Sequence, residues 1–238
     1  LPTGFTETRV AGGLSQPTAM AFAPGGRIFV AEQDGDLRVI KNGTLLAQPF
    51  LSVTVSSAGE RGLLGVAFDP NFASNGWVYM YFSPAGPDAK NVLVRFTLRG
   101  DSLDLASQKT ILEIPVQRRA CCHTGGSITF DRAGNLYLST GDNSNPFASG
   151  YAPIDERPGR EPWDAQKSSG NTNDLRGKII RIHPEPDGTY TIPEGNLFPP
   201  GSDKTRPEIY TMGHRNPYRI SVDKHTGYLY WGEVRPHA

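Results

Sequence analysis

The chain has 238 residues, with 24 Lys plus Arg against 24 Asp plus Glu. A surface without net charge sets up no global field toward nucleic acid or an anionic membrane, and it suits a small neutral substrate. The 27 Gly and 20 Pro make up about a fifth of the chain without any low-complexity run, as expected for many tight turns between short strands, and no apolar stretch approaches the roughly eighteen residues of a membrane-spanning helix.

The first residue is Leu1. A start other than Met predicts a processed or trimmed N-terminus and export, either secreted or periplasmic. From Pro17, the alternation in Thr18 to Ala31 around Pro24-Gly25-Gly26 predicts strand, tight turn, strand, with a further strand over Leu37 to Ile40. Asn42-Gly43-Thr44 fits a glycosylation acceptor, but Asn-Gly between two apolar runs favours a two-residue hairpin.

The strand, turn, strand pattern returns at Leu64 to Phe82, at Ser127 to Ser139 and at Arg219 to Glu233, each time with a Phe-Asp or Val-Asp step entering the turn. Aligned on Ala23, Asp69, Asp131 and Asp223, the copies are spaced by 46, 62 and 92 residues. The shortest spacing approaches the forty-odd residues of one four-stranded propeller blade, and the longer ones imply insertions. The expected fold is therefore all-β, a β-propeller with about four blades present, forming a single domain over 1–238. A β-sandwich of unrelated hairpins is the competing reading. Between residues 143 and 176 the alternation disappears, which predicts a long loop insertion, and Phe147, Tyr151 and Trp163 suggest a packed lip over a site.

His123 lies just before Gly125-Gly126, and Asp142 follows 19 residues later, after one hairpin. Imidazole can take a proton from a hydroxyl near neutral pH and a carboxylate can orient it, although spacing alone leaves a structural histidine equally open. Arg215 and Asn216 share a turn fixed by Pro217, a guanidinium and an amide able to hold carboxylate and carbonyl groups. A loop salt bridge is the plainer reading. Glu60-Arg61-Gly62 stands at an equivalent strand entrance, where an exposed ion pair is the simplest expectation. Cys121 and Cys122 are the only cysteines, either two thiols or a bond between neighbours, and neither supports a thiolate zinc site.

Four stretches carry a family resemblance: Glu60 to Phe72, Ala120 to Asp142, Gly177 to Ile182 and Gly213 to Pro217. In order and approximate spacing they resemble the soluble PQQ-dependent glucose/sorbosone (aldose sugar) dehydrogenases, six-bladed propellers related to hedgehog-interacting protein. The resemblance implies a PQQ cofactor and Ca2+, an aldose substrate and an electron acceptor as partners, and oxidation of the sugar C1 hydroxyl to the lactone. It implies His123 as general base, Asp142 as its orienting residue, Glu60, Arg215 and Asn216 as cofactor contacts, and the Arg235-Pro236 step at the calcium position. Three departures stand out. Arg235 replaces a glycine, Cys122 replaces an aspartate found in some members, and Ala238 closes the chain after about four repeats. The last predicts either a C-terminally truncated fragment of a longer propeller, or self-association or a completing chain at the open propeller edge. The alternatives are a non-catalytic carbohydrate- or protein-binding propeller of the hedgehog-interacting type and a calcium-dependent lactonase.

Overall fold

A computed structural model describes residues 1–99 and 102–234. The repeats seen in the sequence become four antiparallel sheets. The first is β1 (Pro17–Phe22), β2 (Ile28–Glu32), β3 (Asp36–Lys41) and β4 (Thr44–Leu45), with β5 (Leu51–Ser52) also pairing with β3. The second runs β6 (Leu63–Phe68), β7 (Trp77–Phe82), β8 (Lys90–Arg99) and β9 (Ser102–Pro115), with a single helical turn, α1 (Phe72–Asn75), in its first connection. The third comprises β10 (Gly125–Phe130), β11 (Leu136–Thr140), β12 (Lys178–Pro184), β13 (Tyr190–Thr191) and β14 (Ile209–Met212). The fourth is the pair β15 (Pro217–Val222) and β16 (Leu229–Glu233).

These sheets are blades. Their first strands lie against one another in sequence, β1 on β6, β6 on β10 and β10 on β15, so they line a common centre while the later strands fan outward. Between blades the cores are continuous. Phe29, Leu37, Met80, Val94 and Phe96 fill the space between the first and second blades, and Tyr81, Leu93, Ile114, Leu138 and Ile180 fill that between the second and third. Across the centre, the Arg219 guanidinium of β15 donates to the Thr18 carbonyl of β1.

The aligned turn positions have one job. The backbone N–H of Ala23, Asp69, Asp131 and Asp223 donates across its turn to the carbonyl of Arg27, Trp77, Asn135 and Tyr228, at 2.9 to 3.1 Å. The three aspartates add a side-chain cap. Asp131 Oδ1 accepts from the backbone of Ala133 and Asn135, Asp69 Oδ1 from Asn71, and Asp223 Oδ1 from His225 and Thr226. Asn42-Gly43 is the expected hairpin turn, since both residues have positive φ, 52° and 74°, as the primed two-residue turn requires.

The 143–176 insertion follows β11 without strands of its own, holding only two short 3₁₀ turns, Glu161–Trp163 and Ala165–Lys167. Its packing differs from the sequence expectation. Phe147 and Tyr151 are mostly exposed, and the segment is organised instead around the buried carboxylate of Asp155. That carboxylate accepts from Arg157, Arg160 and Ser149 at 2.6 to 3.2 Å. The two guanidiniums in turn lie over Tyr151 and Trp163. These hydrogen bonds, that of Arg157 foremost, hold the Asp155 carboxyl well below the usual carboxylate range.

Candidate functional site

One register position gathers the polar groups. Ser15, Arg61, His123 and Arg215 each stand eight residues before the aligned turn position and two residues before the first strand of their blade. In every blade the pairing of that strand slips just after its first residue, at Pro17/Ala19, Leu63/Gly65, Gly125/Ile128 and Pro217/Arg219. A bulge at a strand entrance re-aims the residue before it. Four blades thus present a serine, a histidine and two arginines at one end of the shared centre.

His123 and Asp142 are joined. Nδ1 lies 2.7 Å from Asp142 Oδ1, and the two residues are 3% and 2% exposed. A carboxylate acceptor at Nδ1 places the ring proton there and leaves the Nε2 lone pair free to accept one. The carboxylate is itself fixed, since Asp142 Oδ1 accepts from the Ser144 N–H at 2.7 Å and the Asp142 N–H donates to the Arg215 carbonyl at 2.8 Å. His123 has φ 53° and Asn143 φ 56°, a left-handed conformation that residues with side chains rarely adopt. The strands can close on this turn only because position 141 is glycine, where an added Cβ would stand 2.0 Å from the His123 carbonyl oxygen.

The other expected residues surround this pair. Glu60 accepts from the Thr124 N–H at 3.2 Å, so it braces the histidine segment, and no ion pair forms between Glu60 and Arg61. The Arg215 N–H donates to Glu233 at 2.6 Å, and its guanidinium reaches the Val234 carbonyl at 2.7 Å. Asn216 is 2% exposed, and its side-chain oxygen has no hydrogen-bond partner among the described residues. Arg235 and Pro236 lie outside the described residues. Among the described residues no three His, Cys, Asp or Glu side chains stand together where they could hold a metal ion. Cys121 and Cys122 are joined as a disulfide immediately before His123.

Two basic groups stand differently from the sequence expectation, Arg61, expected in an exposed ion pair with Glu60, and Lys178, given no role there. Arg61 lines a water-sized cavity of about 10 Å³ together with His123, Thr124, Asn143 and Arg176. Burial, then the neighbouring Arg118 charge, holds Arg61 below the ordinary arginine value. The strand-entrance position of Arg61 was legible, and its eight-residue offset, shared with His123 and Arg215, was the signal against an exposed pair. Lys178, at the start of β12, is completely buried. Its Nζ donates to the carbonyls of Ser168, Ser169 and Arg176 at 2.8, 3.1 and 2.9 Å, fastening the end of the insertion beneath Gly141 and Asp142. Burial pushes this ammonium down to about 8, against an upward pull from Asp174. A lysine opening the apolar run Ile179-Ile180 was the only hint of it.

Basic groups able to receive a polyanionic quinone are present: the Nε atoms of Arg61 and Arg118 are buried without acceptors among the described residues, while the Asn216 side-chain oxygen is a buried acceptor awaiting a donor. A family profile described as "Glucose / Sorbosone dehydrogenase" matches residues 14–238. The aldose sugar dehydrogenase YliI of Escherichia coli is 27% identical over 94% of the chain and 54% of its own length. Human hedgehog-interacting protein is 27% identical over 93% of the chain and 32% of its length. The PQQ-bound aldose sugar dehydrogenase from Streptomyces coelicolor superposes with a TM-score of 0.71 at 29% identity, covering 95% of this chain and 58% of that one. The chain thus spans a third to just over half of the length of these relatives.

Proposed function

The chain belongs to the glucose/sorbosone dehydrogenase family, and from that premise we propose that it oxidises the C1 hydroxyl of an aldose to the lactone with PQQ as the electron acceptor. The single observation behind this reading is the buried 2.7 Å contact between His123 Nδ1 and Asp142. His123 takes the anomeric hydroxyl proton at Nε2, and Asp142 stabilises the imidazolium that forms. Arg215 and Asn216 would hold PQQ, which when bound supplies a two-electron acceptor for the hydrogen leaving C1. The Ca2+ expected beside it would bind near residues 235 and 236, and no step is assigned to it.

A second reading, a binding propeller of the hedgehog-interacting type, draws on the similarity to human hedgehog-interacting protein, 27% identical over 93% of the chain. Reconstitution decides between them. With PQQ and Ca2+ added, an aldose should bleach the quinone spectrum, and His123→Ala should retain cofactor while losing turnover by about 10²–10⁴-fold. Tight PQQ or sugar binding with no bleaching across a panel of aldoses would favour the binding propeller. Unchanged turnover in His123→Ala would remove the base.

The remaining assignments follow the same premise. No helix among the described residues is long and apolar enough to cross a membrane, and secretion or a periplasmic location is the setting proposed for a quinoprotein of this family. Met20 and Phe22 on the first blade and Tyr228, Tyr230 and Trp231 on the last are 43% to 69% exposed, and further blades of the same protein are the proposed cover for these two faces. A longer chain that left these faces reactive to surface labelling would refute that cover.

A further inference from the structure

We propose that Arg61 and Arg118 form a carboxylate-binding subsite beside His123. This inference rests on the reading above and names the group that part of the site would receive. The first support is the repeat itself, because Arg61 occupies the register position that carries His123 in the third blade and Arg215 in the fourth. The second is location, since Arg61 and His123 line one cavity. The third is unmatched charge. Arg176 lines the same cavity but is neutralised by Asp174 at 2.6 Å, whereas Arg61 makes no ion pair and no side-chain hydrogen bond among the described residues.

Arg118 is aimed by the scaffold, its Nη atoms donating to the carbonyls of Pro84, Gly86 and Lys90 at 2.7 to 3.2 Å. Carbonyls orient a guanidinium but do not cancel its charge. Both Nε atoms are buried without acceptors. Gln117 and Asn91 line the Arg61 cavity, so Arg118, next to Gln117 in sequence and bonded to the Lys90 carbonyl, stands at its edge, and a carboxylate arriving there can take forked hydrogen bonds from the guanidiniums. A neutral sugar hydroxyl cannot. The carboxylate can come from PQQ, which carries three, or from an acidic substrate such as a uronic acid.

The test uses the full chain in two ways. First, PQQ binding to the apoprotein is followed by fluorescence in wild type, Arg61→Gln and Arg61→Lys, with thermal melting to confirm folding. Second, in unmutated protein, phenylglyoxal modification of Arg61 is mapped by mass spectrometry with and without PQQ or glucuronate. The expected result is an affinity loss of at least tenfold in Arg61→Gln, a shallower salt dependence, partial recovery in Arg61→Lys, and protection of Arg61 by PQQ. Protection by glucuronate alone would also support the subsite and would assign its carboxylate to the substrate. Undiminished PQQ binding in Arg61→Gln with Arg61 unprotected would overturn the subsite and leave the dehydrogenase reading standing. Failure of wild type to bind either compound would overturn both.

Discussion

The two ends of each blade obey different rules. At the turn end the same residue type recurs, Asp69, Asp131 and Asp223, and each carboxylate is satisfied within its own turn. Eight residues earlier, at the strand entrances, the residue type changes around the centre, Ser15, Arg61, His123 and Arg215, and their partners come from other segments or are missing among the described residues. Identity repeated at equivalent positions marks scaffold. Divergence at equivalent positions marks the place where one scaffold has been given separate chemical roles.

That contrast can be broken by substitution. The largest effect on stability is expected from Lys178→Met, which takes the ammonium donor from the Arg176 carbonyl and a second donor from the carbonyls of Ser168 and Ser169, and should cost about 2–3 kcal/mol in chemical denaturation. A pH titration sharpens it. Because the folded ammonium is depressed from 10.5 to about 8, with Asp174 and Arg176 as the charged groups facing it, the folded chain binds fewer protons than the unfolded one between those values. Wild-type stability should therefore rise from about pH 8 to 10.5, and Lys178→Met should lose that slope. Next in size, Asp142→Asn should lower turnover by at least about tenfold with little change in denaturation midpoint, through a misoriented imidazole.

The scaffold was largely legible because its cause is local. An apolar-Asp step followed by a turn can be read in a single copy, and its three copies, two Phe-Asp and one Val-Asp, mark out the blades. His123 and Asp142 were legible for a related reason, since one hairpin of known length joins them. Lys178 was not, because its acceptors come from Ser168 and Ser169 at the end of an irregular insertion, and no periodicity predicts where such carbonyls converge. The packing of the insertion was misjudged on the same account. Phe147 and Tyr151 were expected to pack as a lip over the site, yet the buried Asp155 holds the segment through Arg157 and Arg160, so charge does there what apolar burial does in the blades.

A smaller effect follows from that carboxylate. Its depressed value means that its stabilisation is full above the ordinary carboxylate range and is lost as pH falls through and below 3.8. Trp163, whose indole N–H donates to the Phe147 carbonyl, should report local loosening of the insertion in acid before the blades unfold. Ser149→Ala should bring that change to a slightly higher pH.

The most direct measurement compares His123→Gln with Asp131→Asn in one blade, recording denaturation midpoint and aldose turnover for each. The two-ended account predicts a crossed result: His123→Gln keeps its stability and loses turnover by at least about a hundredfold, while Asp131→Asn loses about 1–2 kcal/mol and turns over normally once folded. Loss of turnover in folded Asp131→Asn, or loss of stability with normal turnover in His123→Gln, would contradict it.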